Sequence, residues 1–441
     1  MARPRILVSS LIASGAAAHG GPIVARRHAA ALLRRGFDVL HAAPSGEPIA
    51  SDLVKVVIYP TGVAPGDRFA SKRHDATAVG ALRAMIERFR PHVVYDVHGP
   101  AWAVDAASDA GVPVVSMMGD YNWYCLQTFL VDSRGQRCSG PENGRKCFDC
   151  VNRWYRKPAR IVHRALGPAA KAGLVALPML RMLDEATDYL TRMRARISTF
   201  VVGDRAAHEF LADQGVAAAK IVRIVQGLPA NALRQRPRAA GPAGRNLRFG
   251  FVGRADMDKG LRVLARAFDS LPRTMPAELW IVHRDEATYD YLKGLFPSRR
   301  RFAADVANGR IRLHRPTTQD ELFDLMAQID VAVVPSLAFE TPCLAMLEFV
   351  AQRTPVVRSE SAGMEHVIQD GVNGRTFPYG DWRALAHEMR GIVADPGLIE
   401  RWRAALPRIA DEDEYVRRLE KVFEPYFPAR TTSTKSEFAH A

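Results

Sequence analysis

Two glutamates in the C-terminal half of this 441-residue chain have the type and spacing to bind a hydroxyl-rich ligand. In the segment VPSLAFETPCLAMLEFVAQRTPVV, which starts at Val334, a predicted strand ends at Pro335 and Glu340 follows in a loop. Glu348 comes eight residues later, on a helix predicted to begin near Pro342. Carboxylates accept hydrogen bonds from the paired hydroxyls of a ribose or hexose. Ligands of open α/β sheets bind at the carboxyl edge of the strands, which is where this loop must lie.

The start of that helix is suited to a second kind of group. A helix N-terminus carries unpaired backbone N–H groups and the positive end of the helix dipole, so residues 341–344 are candidates to receive a diphosphate. Another interpretation stays open at this point, in which Glu340 only caps the helix and Glu348 is solvated.

A basic turn, FGFVGRADMDKGL, spans Phe249–Leu261. A strand is predicted to end at Gly253 and a helix to start near Gly260, with Arg254 and Lys259 between them. Arginine grips phosphate oxygens with two parallel hydrogen bonds, while lysine supplies a compact charge. A departing nucleoside diphosphate needs such neutralisation because negative charge builds on it as the bond breaks. The alternative is an ordinary strand–helix turn with solvated basic residues.

The elements that must position these residues are short apolar strands separated by longer helical patterns. Continuously apolar strands are typical of parallel sheets covered on both faces, so the sequence predicts doubly wound α/β domains. Thr318 and Glu321 stand at capping-box spacing and predict a further helix start. The predicted strands are Arg5–Ser9, Phe37–Ala42, Val54–Tyr59, His92–Val97, Pro113–Met117, Phe200–Gly203, Ile221–Val225, Leu247–Gly253, Glu278–His283, Arg310–Leu313, Val331–Pro335 and Thr354–Ser359.

The length of the chain suits two domains. Residues 1–230 are predicted to form an N-terminal domain with a cysteine-rich insertion near 125–150, and residues 231–408 a C-terminal domain. The break is expected at Pro229–Arg245, which is rich in Pro, Ala, Gly and Arg and has no clear periodicity. Residues 409–428 are predicted to form a helix that packs back on the N-terminal domain, and residues 429–441 a disordered tail.

In combination these motifs resemble family-4 (group 1) glycosyltransferases of the GT-B fold. Gly253–Gly260 is similar to the family's phosphate-binding turn, and Glu340–Glu348 to its signature pair of glutamates. Pro355–Phe377 resembles the family's strand, small-residue turn and DGVNG loop, and His19–Pro22 its N-terminal glycine loop. The resemblance implies two Rossmann-like doubly wound domains facing across a cleft.

The resemblance also implies roles for individual residues. Arg254 and Lys259 would hold the diphosphate of a nucleotide-sugar donor, Glu348 the ribose hydroxyls, and Glu340 would face the donor sugar. Transfer would proceed with retention of anomeric configuration and without a catalytic metal, the leaving phosphate itself taking the acceptor's proton. Further donor contacts would come from Gly20, Gly21, Thr341, Pro342, Cys343 and Leu344.

The chain departs from the family pattern at two places. Many relatives carry a histidine before an aspartate after the fifth strand, whereas this chain has Gly119 before Asp120. His98, at the end of the preceding strand, is a candidate to line the acceptor cleft, and we group it with Asp120 and Glu340 as the candidate catalytic residues. The glycine expected after the first glutamate is also absent, since Pro342 and Cys343 occupy that turn.

Four of the five cysteines cluster in the predicted insertion, at Cys125, Cys138, Cys147 and Cys150. Clustered cysteines in an intracellular protein more often bind a metal than form disulfides. Four thiolates make a closed tetrahedral zinc site, which would be structural and not catalytic. Free thiols are the alternative.

The chain has a formal net charge of +14, which is compatible with nucleic acid, anionic lipid or phosphorylated small molecules as partners. No zinc-finger, RNP or basic-zipper pattern is present, so nucleic acid is not expected. No run of 18 apolar residues occurs, and we interpret Met1–Ala18 as a strand and loop although it imitates a secretory signal. The basic segment Arg153–Arg196 is predicted to form two helices, either a solvated face or a surface for anionic lipid.

The expected function is a retaining glycosyltransferase that moves a sugar from a nucleotide-sugar to a polysaccharide, glycolipid or other glycan, including lipid-linked acceptors. The expected location is cytoplasmic, with peripheral contact at the inner face of the cytoplasmic membrane. The alternatives are a non-catalytic nucleotide-sugar-binding subunit, or another GT-B enzyme such as a nucleotide-sugar epimerase.

Overall fold

The computed structural model describes residues 3–13, 20–46, 54–63, 69–132, 136–141, 146–148, 150–151, 168–238, 244–283 and 287–428. Among the predicted features, His19, parts of the glycine loop, the cysteine insertion and the domain linker, and the tail at 429–441 lie outside these ranges.

The N-terminal domain is built on a parallel seven-stranded sheet of order β3-β2-β1-β4-β5-β6-β7. Its apolar strands pair in parallel because helices return the chain over the sheet faces. The strands are β1 Arg5–Ser9, β2 Asp38–Ala43, β3 Lys55–Ile58, β4 Val93–Val97, β5 Val114–Met118, β6 Thr199–Val202 and β7 Ile221–Arg223. The helices are α1 Gly21–Arg34, α2 Ala76–Phe89, α3 Ala101–Asp109, α4 Pro168–Arg196, α5 Arg205–Asp213 and α6 Ala230–Leu233.

The C-terminal domain has a parallel six-stranded sheet of order β10-β9-β8-β11-β12-β13. Its strands are β8 Leu247–Val252, β9 Ala277–Val282, β10 Ile311–His314, β11 Val331–Val334, β12 Val356–Ser359 and β13 Gly374–Phe377. Its helices are α7 Leu261–Asp269, α8 Tyr289–Leu295, α9 Arg299–Ala307, α10 Gln319–Gln328, α11 Leu344–Ala351, α12 Trp382–Ala394 and α13 Gly397–Ala405. Both sheets confirm the predicted class of two doubly wound α/β domains.

The differences from the sequence-based elements are few and local. Strand β13 was not predicted, and helix α11 begins at Leu344, two residues after the expected Pro342. Residues 168–196 form one helix, and residues 152–167, which hold the first part of the two helices predicted over Arg153–Arg196, lie outside the described ranges. Thr318 and Glu321 form the predicted capping box at the start of α10.

The last helix, α14 (Glu412–Phe423), returns to the N-terminal domain. Its buried face joins the apolar cluster formed by α1 and the inner strands of the first sheet. His28 of α1 stacks on Tyr415 with ring centroids 4.5 Å apart, and its Nδ1 lies 2.9 Å from the Tyr95 hydroxyl. The chain therefore crosses between the two domains a second time. Within the described residues, no helix is both long enough and apolar enough to cross a bilayer.

Candidate active site

Two turns of the C-terminal domain are bonded to each other at the carboxyl edges of β8 and β11. Gly260 has a φ of 69°, and a Cβ there would lie 1.7 Å from the Pro335 carbonyl oxygen, so only glycine fits this approach. The carbonyl oxygen of Asp258 accepts hydrogen bonds from the N–H groups of Leu337 (2.7 Å) and Ala338 (3.0 Å). The basic turn and the glutamate loop thus form one unit.

Lys259 and Glu340 lie at the centre of this unit. The Lys259 ammonium is 3.0 Å from a Glu340 carboxylate oxygen, and the Ser336 hydroxyl donates to the other oxygen. Burial lowers the pKa of Lys259, but Glu340, Cys343 and Asp258 together outweigh burial, and the net pKa is raised above its ordinary value. The lysine therefore stays charged, and a diphosphate that binds it must compete with Glu340.

Arg254 stands beside the pair with its guanidinium directed along the turn. It lies 2.7 Å from a carboxylate oxygen of Asp256 and 3.5 Å from one of Asp258. The Arg254 side chain is 42% exposed, so it is open to an incoming anion. Burial raises the pKa of the Asp258 carboxyl, against the opposing effect of Lys259 and Arg254.

Helix α11 directs its N-terminus toward the same place. Cys343 is its N-terminal cap residue, and burial raises the pKa of the Cys343 thiol well above its usual range. Thr341 is fully buried, and its side chain interacts with the Asp204 carboxylate of the N-terminal domain. Leu344 packs against the apolar cluster of the N-terminal domain. Glu348, half-buried one turn further on, acts electrostatically on Arg27 of α1.

The N-terminal domain contributes a histidine–aspartate pair. His98 Nδ1 lies 3.2 Å from a carboxylate oxygen of Asp120. Burial lowers the pKa of His98, but Asp120 and Asp96 together outweigh burial, and the net pKa is raised. Burial raises the pKa of Asp120, but His98, the Asn122 backbone and Lys72 together outweigh burial, and the net pKa is lowered. Both effects favour the charged pair.

The His98 ring is held between two glycines. A Cβ at Gly21 would lie 2.6 Å from ring atoms of His98, and one at Gly119 would lie 2.0 Å from its Nε2. Gly20, with a φ of 53°, caps α1 immediately before Gly21. The structure therefore brings His98 and Asp120, both candidate catalytic residues, next to the start of α1, which the sequence analysis had not connected with them.

The sequence analysis did not identify a row of polar residues on the strands next to the His98–Asp120 pair. Ser9, Asp96 and Ser116 are register partners on β1, β4 and β5, and all three are fully buried. The Ser116 hydroxyl donates to Asp96 at 2.7 Å, and the Trp123 indole N–H donates to Ser116 at 2.9 Å. Burial raises the pKa of the Asp96 carboxyl to about 6. The sequence signal for this row was a polar residue within each of three otherwise apolar strands. The strand register that places these residues side by side depends on the tertiary structure.

The two domains also contact each other through residues that the sequence analysis did not identify. Arg27 of α1 donates to the Gln319 side chain at the start of α10 over 3.1 Å. Asp204, fully buried at the start of α5, lies near Thr341, and burial raises its pKa to about 6. A Cβ at Gly203 would be 3.3 Å from Pro342. The predicted donor loop therefore lies against the N-terminal domain.

The four clustered cysteines are neighbours in the structure. Cys125, Cys138 and Cys147 are half-buried against the core of the N-terminal domain. Burial, with the other three thiols, raises the pKa of Cys147 to about 12. In the part of the chain that the structure describes, no group of three or more His, Cys, Asp or Glu side chains is arranged to hold a metal ion. The zinc site stays a prediction.

Known proteins resemble this chain in sequence and in fold. The family described as glycosyl transferases group 1 matches residues 246–395, which contain the basic turn and both glutamates. The chain is 37% identical over 91 residues to a D-inositol 3-phosphate glycosyltransferase of Streptomyces bingchenggensis (strain BCW-1), covering 21% of this chain and 20% of that protein. It is 27% identical over 225 residues to a phosphatidyl-myo-inositol mannosyltransferase of Mycobacterium leprae (strain TN), covering 49% and 56%.

These matches span between 20% and 56% of the length of the two curated relatives. The fold extends further. The crystal structure of Anabaena Alr3699/HepE in complex with UDP superposes with a TM-score of 0.61 at 15% identity, covering 96% of this chain and 100% of that one. Residues 246–395 are therefore similar to the group 1 glycosyltransferases, and the chain has the two-domain GT-B fold.

Proposed function

We propose that the protein transfers a glycosyl group from a nucleotide-sugar donor to a glycan or lipid-linked acceptor, with retention of anomeric configuration. The observation that carries the proposal is the Lys259–Glu340 pair, 3.0 Å apart between two bonded turns at the carboxyl edge of the second sheet. A cation for the leaving group and an acceptor for sugar hydroxyls stand together there. The complex of Alr3699/HepE with UDP supports a nucleotide as the common ligand.

In this proposal each charged group has a separate task. Lys259 and Arg254 neutralise the charge that builds on the departing diphosphate, and the N-terminus of α11 adds its backbone N–H groups. Glu348 accepts hydrogen bonds from the ribose and Glu340 from the sugar. The leaving phosphate takes the proton of the acceptor hydroxyl on the same face of the sugar. His98, charged and held by Asp120, donates a hydrogen bond to the donor from the opposite domain.

The acceptor is proposed to be a glycolipid or lipid-linked glycan. The relative from Mycobacterium leprae carries a phosphatidyl-inositol acceptor in its name, and the net charge of +14 favours an anionic surface. The protein would then work at the cytoplasmic face of a membrane, in assembly of cell-envelope polysaccharide or glycolipid.

Thermal unfolding with a panel of nucleoside diphosphates tests the donor site. A ligand at about 100 times its dissociation constant adds about 2.7 kcal/mol to the free energy of unfolding. We expect one nucleotide to stabilise the parent protein and the Lys421→Ala variant, whose lysine is exposed on α14, but not Lys259→Ala. Stabilisation of Lys259→Ala equal to that of the parent would refute the proposed diphosphate contact.

Glu340→Gln separates catalysis from binding. The amide keeps the shape of the side chain but removes its charge, so nucleotide binding should persist while glycosyl transfer is lost. If the parent protein binds a nucleotide but transfers no sugar, the alternative of a non-catalytic nucleotide-sugar-binding subunit is favoured. If no nucleotide binds to the parent protein, the transferase proposal and that alternative both fail.

A further inference from the structure

A short hairpin within the cysteine-rich insertion has a regular backbone. The N–H of Cys138 donates to the carbonyl of Leu130 at 2.9 Å, and the N–H of Asp132 donates to that of Gln136 at 2.8 Å. Val131 and Arg137 face each other across this antiparallel pair. We name residues 129–132 and 136–138 the insertion hairpin; the intervening residues lie outside the described ranges.

The insertion hairpin contacts the other domain at the residue next to Glu340. The N–H of Phe339 donates to the carbonyl of Phe129 over 3.1 Å. The Arg137 guanidinium carbon lies 5.3 Å from the centroid of the Phe339 ring, within the range of a cation–π contact. Phe339 is half-buried against the N-terminal core, and on its other side it stacks on Tyr379 with an interplanar angle of 4°.

These contacts hold the main chain that carries Glu340. Its own N–H donates to the carbonyl of Ser361 at 3.1 Å, while the preceding N–H is taken by Phe129. Two consecutive amides are thus bonded to different domains. Any shift of the insertion hairpin must move Phe339, and with it the carboxylate that pairs with Lys259. The other proposed donor contacts are attached elsewhere, because Arg254 and Glu348 lie on the β8 turn and on α11.

We propose that the insertion hairpin positions Glu340 for the donor sugar, with Arg137 and Phe339 as positioning residues. The inference rests on the proposed function, since it assigns the sugar to Glu340. It goes beyond that function because it makes an insertion of the N-terminal domain part of the donor-sugar site. Loss of the hairpin contact should weaken recognition of the sugar and leave recognition of the nucleoside diphosphate in place.

Isothermal calorimetry on the full chain tests this separation. The probes are UDP with UDP-glucose and GDP with GDP-mannose, and the pair that the parent binds is used. For Arg137→Ala and Phe339→Leu we expect the nucleoside diphosphate to bind within about twofold of the parent, and the sugar nucleotide about tenfold more weakly, since a small misplacement of a positioned group can cost up to about a hundredfold. Arg137→Lys should lie between, because it keeps the charge without the planar guanidinium.

Arg205→Ala is the matched control. Arg205 is an arginine of the same domain whose side chain is 74% exposed and pairs with Glu209. Its removal should change neither affinity. Amide hydrogen exchange at Phe339 gives a readout that does not depend on ligand, and it should speed up in Arg137→Ala but not in the control.

The outcomes separate the two proposals. If the parent binds none of the four probes, the proposed function fails first. If the parent binds but the Arg137 and Phe339 variants match it, the hairpin does not position Glu340. Equal weakening of both members of a pair would also overturn the inference, because it would indicate a general loss of the cleft. The same holds if the sugar adds nothing to the affinity of the parent.

Discussion

At the scale of residues, the main result is how this chain places a histidine beside Asp120. Many members of the family that this chain resembles carry a histidine before the aspartate, whereas this chain has Gly119. In the structure the His98 ring arrives from the preceding strand and takes the space that a side chain at 119 would fill. Gly21 closes the other side of the ring. Although position 119 is a glycine, Asp120 thus still pairs with a histidine, which comes from the end of the preceding strand.

Gly119→Ala should therefore disturb the pair. A Cβ 2.0 Å from Nε2 forces His98 to move, and Gly21 leaves it no room on the opposite side. We expect the free energy of unfolding to fall by about 1–3 kcal/mol, as for overpacked sites, together with loss of transfer activity. Urea denaturation of the variant measures this.

Gly80→Ala serves as the control for that substitution. A Cβ at Gly80, on the exposed face of α2, would meet nothing within 4 Å. Replacing a helical glycine there should raise stability by about 0.5–1 kcal/mol. If Gly119→Ala proved as stable as the parent, the tight enclosure of His98 would be contradicted.

At the scale of elements, the cysteine-rich insertion is the unusual part. Its hairpin is bracketed by Cys125 and Cys138, and the Lys72 ammonium, fully buried, donates to the carbonyls of Cys125 (2.8 Å) and Leu126 (2.9 Å). Burial lowers the pKa of Lys72, with Cys125, Asp120 and Cys147 acting against it. A buried cation is costly unless it has a counter-charge, and deprotonated thiols would supply one. Within the described residues the thiols are not arranged to hold a metal ion, so a structural zinc ion at the four cysteines stays a prediction.

Metal analysis of the purified protein tests the proposal. We expect about one zinc per chain, since four thiolates make a closed tetrahedral site. Cys147→Ser should lose the metal and unfold at a lower temperature. Cys343→Ser, which alters a cysteine outside the insertion, should keep it. Metal-free protein with four titratable thiols in the insertion would favour the free-thiol alternative.

At the scale of the whole molecule, α14 ties the two domains together. The chain leaves the C-terminal domain and buries Tyr415, Val416, Leu419 and Phe423 against the first. The cleft is thus bridged by the interdomain linker, by this helix and by the insertion hairpin. Because their cores share this connection, the domains should unfold together.

Leu419→Ala measures that coupling. Leu419 is fully buried in the cluster of the N-terminal domain, so truncation should cost about 2–5 kcal/mol in the free energy of unfolding. We expect one shifted transition in calorimetry, with both domains affected. Arg417→Ala, on the exposed side of the same helix, should stay within about 0.5 kcal/mol of the parent. Two separated transitions would show that α14 does not couple the domains.

The fold class could be predicted from the amino-acid sequence alone, and the proposed donor residues of the C-terminal domain could be identified there. Apolar runs at strand spacing predicted all strands except β13, whose four residues, Gly374–Phe377, begin at the glycine of an Asn-Gly pair and form the edge of the sheet. Glycine, lysine and glutamate in the two turns could be identified because each residue lies in a local strand–turn–helix unit. The contacts of Gly260 with Pro335 and of Lys259 with Glu340 join two such units and were not predicted. Short sequence motifs predict the structure of the few residues that contain them, and the capping box at Thr318 is a second example.

Contacts between residues that are distant in sequence could not be predicted in this way. His98 and Asp120 come from separate strand ends, and Phe129 and Phe339 from different domains. No periodicity encodes such pairs, because strand order and domain packing bring together residues that are unrelated in sequence spacing. The motif residues therefore predicted a donor site. The residues of the N-terminal domain and of the insertion that lie around this predicted site could be found only from the packing of the two domains.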